Sequence, residues 1–311
     1  MPTYGITGGA GFIGSHIAEE LAKDRDNRIV VIDDLSSGKL ENIEPFKDRI
    51  EFHMIDIRDP GKMLQLLHGA DFLFHLAALV SATDSVHRIS EYHAVDIAGT
   101  LNVLQAAKLN GIKRTVIASS AAVYGNEPGQ PKREDMLPKP ESPYGLANLA
   151  GEHYARLFSK LYGFPVIALR CFNVYGPRQD ASSPYGGVVS VFADKLLRGE
   201  RPMIYGDGRQ TRDFVFVKDA VRAHLLAMRR PALKGGEVFN VGTGESTDIL
   251  TLLDRVSFAA GCRSEPEFAA ERPGDIRRSS ADMTLARRAL GFAPVVLLKE
   301  GLAELIKSLK E

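Results

Sequence analysis

The sequence predicts an α/β protein in which a doubly wound parallel sheet is combined with a second, smaller α/β domain. Short β-branched runs alternate with amphipathic helical stretches through the first 170 residues, an order typical of βαβ units. A glycine-rich turn at residues 8–14 follows the first run. The pattern changes after residue 175, where residues 176–187 are rich in Gly, Pro and Ser. With 311 residues, the chain is long enough for two domains.

The strands of the first domain are predicted from its buried runs. These lie at residues 28–33, 50–55, 72–76, 114–119 and 166–169. A weaker first strand is predicted at residues 3–7, because the glycine-rich turn follows it even though Gly5 interrupts the run. A long helix is predicted from residue 144 to residue 162, where Gly163 and Pro165 end it.

The second domain is predicted from the shorter elements that follow residue 175 and from a last amphipathic helix near residues 300–310. Residues 238–241 have the pattern of another buried strand, so the sheet domain takes up the chain again. We therefore predict that the first domain comprises residues 1–174 and about 212–242. The second would comprise about 175–211 and 243–311.

Composition excludes several classes of protein. The 39 basic and 39 acidic side chains cancel and form no dense basic run, so neither nucleic acid nor an anionic membrane is expected as a partner. The two cysteines, Cys171 and Cys262, leave room for at most one disulfide and suit a reducing compartment. No signal sequence or stretch of 18 apolar residues is found, which predicts a soluble cytoplasmic protein.

The glycine-rich turn is typical of a Rossmann-type dinucleotide site. Residues 9–14 fit G-x-G-x-x-G, and Gly8 adds an overlapping register. Such glycines allow a tight turn and let backbone N–H groups approach a pyrophosphate. Asp33 ends a strand about 20 residues later, where a carboxylate accepts ribose hydroxyls and repels a 2′-phosphate, so NAD is expected rather than NADP. Asp34 is a rival for this role, and Asp56 is either an adenine ligand or a helix cap ahead of Pro60.

A second group of polar residues follows the strand at 114–119. Ser119 and Ser120 end this strand, and ligands of open α/β sheets bind at the carboxyl ends of strands. Tyr144 and Asn148 lie four residues apart at the start of the long helix, on one face of it. Tyrosine can exchange a proton with a bound ligand and serine can hydrogen-bond to it, so both are candidates for one site.

These motifs together resemble the extended short-chain dehydrogenase/reductase family, and within it the nucleotide-sugar 4-epimerases of the UDP-glucose 4-epimerase type. The resemblance covers nearly the whole chain. In the first domain it rests on TGGAGFIGSH (7–16), VVIDDLSSGK (30–39), HLAALVS (75–81), SSAAVYG (119–125) and SPYGLANLAGE (142–152). Further along the chain the resemblance rests on RCFNVYGPRQ (170–179), GDGRQTRDFVFVKD (206–219) and RPGD (272–275).

The resemblance implies NAD-dependent 4-epimerisation of a UDP-hexose through a 4-keto intermediate. The hydride leaves C4, the keto-sugar rotates, and the hydride returns to the other face. Ser120 would be the catalytic hydroxyl and Tyr144 the acid/base. The expected NAD-binding residues are Gly8, Gly11, Phe12, Ile13, Gly14, Asp33, Asp34, Asp56, Ile57, Leu76, Ala77 and Ala78. A homodimer formed through helices near residues 93–110 and 144–162 is also expected.

The main departure from the family pattern is Asn148, which stands where Tyr-x-x-x-Lys has its lysine. An amide can replace the hydrogen bonds of the ammonium group but not its charge, so a slowed reaction that quickens with rising pH is expected. Asp96 stands where the family more often has Asn, and no role is assigned to it. Ala121 and Ala122 stand where related dehydratases have an acidic pair, which favours epimerisation over dehydration.

The resemblance places the sugar nucleotide mainly on the second domain. Arg212 and Arg272 would hold the diphosphate, since the guanidinium group binds phosphate oxygens bidentately. Ser279 falls where a bulky residue confines some relatives to plain hexoses, so N-acetylated sugars are expected to be accepted too. The full set of expected substrate residues is Ser81, Asn173, Val189, Tyr205, Arg212, Arg272, Asp275 and Ser279.

Two alternatives remain open at this stage. One is a UDP-glucuronate 4-epimerase or another NAD-dependent nucleotide-sugar oxidoreductase, since Arg178 could reach a carboxylate. The other is a catalytically impaired NAD- and UDP-sugar-binding protein, since Asn148 lacks the lysine charge. No metal is expected, because the eight histidines show no ligand spacing.

Overall fold

The computed structural model describes residues 1–181, 187–271 and 276–310. Thirteen strands are found in these ranges: β1 (Thr3–Thr7), β2 (Arg28–Asp33), β3 (Glu51–Met54), β4 (Phe72–His75), β5 (Arg114–Ser120), β6 (Val166–Cys171), β7 (Asn173–Tyr175), β8 (Met203–Tyr205), β9 (Thr211–Arg212), β10 (Phe214–Phe216), β11 (Val238–Val241), β12 (Thr247–Asp248) and β13 (Glu267–Ala269).

Eleven α-helices are found in the same ranges: α1 (Phe12–Ala22), α2 (Pro60–Leu66), α3 (Ala82–Ser85), α4 (Ile89–Tyr92), α5 (Thr100–Leu109), α6 (Pro143–Tyr162), α7 (Val188–Leu197), α8 (Val217–Arg229), α9 (Ile249–Ala260), α10 (Thr284–Leu290) and α11 (Leu298–Lys310). A π-helical segment, His93–Gly99, joins α4 to α5. Short 3₁₀ turns lie at Leu40–Asn42, Glu44–Arg49 and Ala121–Tyr124.

Seven strands form the central sheet, in the order β11-β6-β5-β4-β1-β2-β3. The pairs from β3 through β5 are parallel, with Thr7 opposite both Ile32 and His75. Helices α2, α5 and α6 pack against one another beside β4 and β5, and α1 packs on β1 and β2. The predicted α/β class with a doubly wound parallel sheet is confirmed.

The weak first strand owes its position to Gly5. A Cβ there would lie 2.8 Å from Leu67 Cδ2 and 3.2 Å from Leu73 Cδ1, so only glycine lets these leucines pack on the backbone. All five residues of β1 are buried, and they pair with β2 on one side and β4 on the other. Tertiary packing therefore outweighs the low strand propensity of glycine at this position.

The chain forms two compact units, and each is discontinuous in sequence. The first comprises Met1–Val123, Pro140–Arg170 and Val221–Phe239, and the second comprises Tyr124–Lys139, Cys171–Ala220 and Asn240–Glu311. The sequence prediction placed residues 124–139 in the first domain. They belong to the second unit because Lys132 N donates to Ser280 O at 2.8 Å and Lys132 O accepts from Asp282 N at 2.8 Å. Residues 212–220 also belong to it, since β10 pairs with β7.

The last segment of the first unit is held by Arg114, the first residue of β5. Its guanidinium group donates to the carbonyls of Met228 at 3.0 Å, Arg230 at 2.6 Å and Leu233 at 3.0 Å. These carbonyls lie in and after the last turn of α8, where backbone acceptors lack helical partners. Arg114 thus fixes the end of α8 and the loop that leads into β11.

None of the described helices is both long and apolar enough to cross a membrane.

Candidate active site

The glycine-rich turn packs tightly against its own backbone and against the loop that follows β4. Gly8 has φ +71°, and a Cβ there would lie 2.5 Å from Ala77 N. A Cβ on Gly14 would overlap the Gly8 carbonyl oxygen. Helix α1 begins directly after Gly11, which has no side chain to cap the first N–H groups. These N–H groups can therefore serve an anion such as a pyrophosphate.

Asp33 connects the end of β2 to this turn. Its Oδ2 accepts a hydrogen bond from Ala10 N at 2.9 Å, and its Oδ1 accepts one from Leu35 N at 2.9 Å. Burial raises the pKa of the carboxyl, while these backbone donors act in the opposite direction. Asp34 is exposed and accepts from Ser36 N at 2.9 Å, so Asp33 is the acid at the turn.

One of the two roles left open for Asp56 is wrong. The cap of α2 is Asp59, which accepts from Lys62 N at 2.9 Å, because Asp59 immediately precedes Pro60. Asp56 instead accepts from Arg58 N at 2.8 Å and Arg58 Nε at 2.7 Å, and this hydrogen bonding lowers its pKa. Asp56 as an adenine ligand stays a prediction.

The first turn of α6 packs closely on the turn that follows Ser120, because the residues at the contact are small. Ser120 is the last residue of β5, and its Oγ accepts from Ala122 N at 3.1 Å. A Cβ on Gly145 would lie 2.8 Å from Ala122 O, so glycine lets the start of α6 pack closely against this turn. Tyr144 immediately precedes Gly145 in this first turn, and its role beside Ser120 stays a prediction.

The start of α6 is fixed by caps and ring contacts. Ser142 Oγ accepts from Gly145 N at 3.1 Å, as a helix N-cap does. The ring of Tyr144 meets the ring of Tyr92 edge to face, with centroids 6.5 Å apart. Asn148 Nδ2 donates to Tyr144 O at 2.9 Å, so its amide bonds to the preceding helical turn. Asn148 itself is uncharged, so position 148 does not supply the positive charge of the expected lysine.

A cavity of about 30 Å³ lies at the carboxyl ends of β4 and β5, large enough for one or two water molecules. Three elements of the first unit line it. They are the end of β4 with its following loop (His75, Leu76, Ala77, Ala78), the helical run through Asp96 and Thr100, and β5 with α6 (Ile117, Ala118, Ala147, Asn148, Gly151). The structure thus brings together Asn148 and three of the predicted NAD residues, which were expected from separate motifs.

His75 is a packing residue in this cavity wall. Its ring nitrogens lie 2.6 Å from Thr7 Oγ1 and 2.9 Å from Thr100 Oγ1. Burial lowers the pKa of His75 to about 4, so the ring is neutral at neutral pH. It links three segments of the first unit and carries no charge.

Asp96 was not assigned a role from the sequence, although it stood out as an acid at a position where Asn is more usual. It lies in the π-helical segment, a distortion often found at functional sites. Its Oδ1 accepts from Leu79 N at 2.8 Å. Its Oδ2 is buried and has no hydrogen-bond partner among the described residues. Burial raises the pKa of Asp96 to about 7.

The remaining predicted residue of the first unit is Ser81. Its Oγ accepts from Asp84 N at 3.0 Å, which caps the short helix α3. Its backbone N–H donates to Tyr92 Oη at 3.1 Å. Tyr92 also makes the ring contact with Tyr144, so Ser81 is connected to the tyrosine through one side chain.

In the second unit, one of the predicted substrate residues lines a shallow pocket. Tyr205 lines it, together with Gly206, Gln210, Glu271, Ile276 and Arg277. Arg212 donates to Thr211 O at 2.8 Å and to Ile276 O. Glu271 and Arg277 were not predicted. Arg277 could have been noted as a second guanidinium near the RPGD motif, and it pairs with Asp207 at 2.7 Å.

The other predicted residues of this unit are spread over three elements. Ser279 is 6% exposed, and its N–H donates to Thr211 O at 3.2 Å, close to Arg212 in sequence. Asn173 is exposed in β7, and Val189 is buried in α7. Arg272 and Asp275 lie outside the described residues. The role of each in substrate binding stays a prediction.

The sequence also matches a known protein family. The family model described as "NAD dependent epimerase/dehydratase family" matches residues 5–242. The chain belongs to this family. The predicted resemblance is confirmed, and so is NAD as the cofactor, which the family description names.

Individual relatives of this epimerase/dehydratase family member cover nearly its whole length. It is 42% identical over 308 residues to a UDP-glucose 4-epimerase of Mycolicibacterium smegmatis, covering 97% of this chain and 96% of the relative. It is similar to the structure of a UDP-N-acetylglucosamine 4-epimerase from Methanobrevibacter ruminantium in complex with UDP-N-acetylmuramic acid (TM-score 0.94, 38% identity, covering 99% and 98% of the two chains). It is also similar to a Thermus thermophilus UDP-glucose 4-epimerase in complex with NAD (TM-score 0.89, 36% identity, covering 99% of each chain).

The described residues of this family member fit NAD. Helix α1 begins at the glycine-rich turn with no side-chain cap at Gly11, so its first N–H groups can face a pyrophosphate, and Asp33 accepts a hydrogen bond from Ala10 N in the same turn. Within the described ranges, no group of three or more His, Cys, Asp or Glu residues is arranged to hold a metal ion.

Proposed function

We propose that this chain catalyses NAD-dependent 4-epimerisation of a UDP-hexose, with UDP-glucose and UDP-galactose as substrates and with UDP-GlcNAc and UDP-GalNAc accepted beside them. The observation that carries the proposal is the close packing of the first turn of α6 on the turn that follows β5. Gly145 packs the start of α6 against Ala122, and Asn148, one turn further, lines the cavity with the predicted NAD residues Ala77 and Ala78. The similarity to a UDP-glucose 4-epimerase over 97% of the chain supports the choice of reaction.

In the proposed reaction, side chains of the first unit accept and return the proton of the C4 hydroxyl group. NAD, when bound, supplies the hydride acceptor and donor. The Tyr144 phenolate takes the proton of the C4 hydroxyl when the C4–H bond is broken, and returns it when that bond forms again. Ser120 Oγ donates a hydrogen bond to the same oxygen and stabilises its charge. Atoms and electrons balance over the cycle, because the sugar leaves with the same composition and inverted C4.

Asn148 makes this reaction slow at neutral pH. A phenol without a nearby cation has a pKa of about 10 and is almost wholly protonated at pH 7. The amide of Asn148 donates to a backbone carbonyl and supplies no positive charge that would favour the phenolate. We therefore expect the rate to rise with pH until the phenol ionises.

Residues of the second unit are proposed to hold the UDP group. Tyr205 lines the shallow pocket, where its ring can pack on uracil. Arg212 is proposed to bind the diphosphate with Arg272, and Asp275 the ribose. Asn173 and Val189 are proposed to contact the sugar or the diphosphate, and Ser81 of the first unit the sugar.

Ser279 is proposed to admit the N-acetyl group because of its small volume. Ser279→Tyr is expected to lower kcat/KM for UDP-GlcNAc by about five- to 150-fold relative to UDP-glucose, since overfilling a buried site costs about 1–3 kcal/mol. Ser279→Ala is the matched control and is expected to keep the wild-type ratio. An unchanged ratio in the tyrosine variant would contradict the assignment.

The direct test of the proposed function is product analysis by NMR after long incubation of the purified chain with UDP-glucose, UDP-GlcNAc and UDP-glucuronate separately. The C4 epimer is expected from the first two. Tyr144→Phe removes the only proton-exchanging atom of the proposed acid/base and is expected to abolish product. If neither the wild type nor Asn148→Lys forms any C4 epimer at pH 7 to 10, the proposed function is wrong.

The alternative functions give different results in the same experiment. A UDP-glucuronate 4-epimerase would convert only the uronate, and Arg178 is the guanidinium proposed to bind its carboxylate. Another NAD-dependent oxidoreductase would change the absorbance at 340 nm in proportion to substrate, which an epimerase does not. Asn148 itself favours the third reading, an NAD- and UDP-sugar-binding protein, which would retain nucleotide and form no product.

A homodimer and a cytoplasmic location remain predictions. The surface of α6 supports the dimer, because Leu157 and Leu161 are 48% and 62% exposed on the predicted contact helix. Leu109 at the end of α5 is exposed as well. Sedimentation of the wild type beside Leu157→Glu tests this contact, and a monomeric wild type would rule it out.

A further inference from the structure

Asp96 differs from the other buried acids of the first unit because part of its carboxyl group has no partner. Asp33 accepts hydrogen bonds through both oxygens, and Glu152 pairs with Arg170 at 2.7 Å. Asp96 is 6% exposed and uses only Oδ1, while Oδ2 meets no donor among the described residues. Leaving a buried carboxylate oxygen unsatisfied is costly, which indicates that another group is bound there in the working protein.

The cavity wall that contains Asp96 also contains Asn148 and the loop residues Ala77 and Ala78. Of the described residues that line it, none is Lys or Arg. Asn148 lies one helical turn after Tyr144, which must face the reacting carbon. The cavity therefore belongs to the nicotinamide end of the cofactor site, whereas Asp33 marks the other end.

The charge of the nicotinamide ring changes during the reaction, because the ring is a cation in NAD⁺ and neutral in NADH. We propose that Asp96 selects the oxidised cofactor: its carboxylate stabilises the cationic ring of NAD⁺, and it takes up a proton when NADH occupies the site instead. The proposal rests on the proposed function only for where the nicotinamide lies, and it does not depend on the sugar. A lysine at position 148 would have the opposite effect, since its ammonium group repels the cationic ring.

The groups around Asp96 leave its charge uncompensated in the protein without cofactor. His75 faces the cavity from β4 and is neutral at neutral pH. Tyr92, at the end of α4, has a pKa raised to about 12, and Asp96 is one of the charges that raise it. Tyr144 on α6 is a phenol, and His93 on the same π-helical segment is exposed. Burial is the largest cause of the raised pKa of Asp96, about 7, and no charged residue contributes.

Thermodynamic linkage gives the sign of the effect. If the ionised carboxyl binds NAD⁺ more tightly, then binding of NAD⁺ lowers the pKa of Asp96 and releases a proton. The preference for NAD⁺ over NADH must then increase as pH rises. The pKa of Asp96 then differs between the protein with NAD⁺ bound and the protein with NADH bound. For each unit of this difference, the ratio of the two dissociation constants can change by about tenfold as pH passes through the two pKa values.

The test is competition between the two cofactors without any sugar. The purified chain is equilibrated with excess NAD⁺ and NADH in equal amounts at pH 6, 7 and 8, desalted rapidly, and the bound nucleotides are separated and counted. The ratio of bound NAD⁺ to bound NADH is expected to rise by about tenfold across this range. Asp96→Asn keeps an oxygen acceptor for Leu79 N and is expected to give a ratio that does not change with pH. Glu91→Gln removes a carboxylate that pairs with Arg88 on the preceding turn, and it is expected to behave as wild type.

A second measurement needs no variant. Calorimetric titration in two buffers of different ionisation enthalpy gives the number of protons released on binding, and near pH 7 NAD⁺ is expected to release more than NADH. The proposal is overturned if NAD⁺ and NADH release equal numbers of protons. It is also overturned if the ratio of bound NAD⁺ to bound NADH does not change with pH in the wild type, or if it still changes with pH in Asp96→Asn. Failure of the epimerase reaction leaves these binding results intact, so the two failures are distinguishable.

Discussion

Replacing Asn148 by lysine tests how charge controls Tyr144. The two residues lie four apart on α6, and the Asn148 amide nitrogen is 2.9 Å from the Tyr144 carbonyl oxygen. Side chains at this spacing are neighbours on a helix, so the lysine ammonium can lie about 6 Å from the phenol oxygen. At an effective dielectric constant of about 20, such a charge favours the phenolate by about 2.8 kcal/mol.

This energy corresponds to a lowering of the tyrosine pKa by about two units. A phenol with a pKa of about 10 is about 0.3% ionised at pH 7.5, and one with a pKa of about 8 is about 24% ionised. We therefore expect Asn148→Lys to raise kcat at pH 7.5 by about ten- to a hundredfold. Its rate should level off near pH 8, whereas the wild-type rate should continue to rise towards pH 10.

The assay is the initial rate of C4 epimer formation, measured by NMR at intervals from pH 6.5 to pH 10. Asn148→Gln is the matched control, because it lengthens the side chain without adding charge and should keep the slow, rising profile. An equal or lower rate in Asn148→Lys, together with a flat wild-type profile, would refute the view that charge at position 148 limits the reaction.

Three further predictions concern the cofactor turn and the buried acids. Gly14→Ala should weaken NAD binding by at least about tenfold in fluorescence titration, since the added methyl overlaps a backbone carbonyl; an unchanged Kd would mean that the turn can shift freely. Glu152→Gln should lower the free energy of unfolding by about 3 kcal/mol in urea, because it leaves a buried guanidinium without its carboxylate, whereas the exposed Glu51→Gln should cost less than about 1 kcal/mol. The folded-state pKa of Asp96 is about 7 against 3.8 for the free side chain, so wild-type stability decreases as pH rises between them. Asp96→Asn lacks this loss, so the free energy of unfolding of the variant minus that of the wild type should increase by about 3 kcal/mol between pH 5 and pH 8. A difference that does not change with pH would mean that the pKa of Asp96 is not raised.

Much of the first unit could be predicted because its signals are local. The pattern of buried runs gave the strands of the central sheet to within one or two residues, and the helix predicted at 144–162 is α6, Pro143–Tyr162. Even the weak strand around Gly5 was recovered from the turn that follows it. The NAD residues Ala77 and Ala78 and the role of Asn148 were predicted from the family resemblance instead, and the structure brings all three to one cavity.

The features that sequence missed depend on distant contacts. Residues 124–139 join the second unit through backbone bonds between Lys132 and the chain near residue 281, which no local pattern announces. Asp59 rather than Asp56 caps α2 because the choice between two nearby acids depends on the backbone turn before Pro60. The missing partner of Asp96 Oδ2 is a property of burial in three dimensions and has no signature along the chain.

The late return of the chain to the central sheet has a consequence for biosynthesis. Strand β6 lies between β5 and β11, and the edge that pairs with β11 stays open until that strand has been made, about 70 residues after residue 171. At about 5–20 residues per second, ribosomal synthesis leaves this hydrophobic edge exposed for roughly 4–14 s. Arg114 likewise has no access to the carbonyls of Met228, Arg230 and Leu233 until 114–119 further residues have been made. The nascent chain is therefore most vulnerable to aggregation in the middle of its translation, and a ribosome pause placed between these two strands would lengthen that exposure.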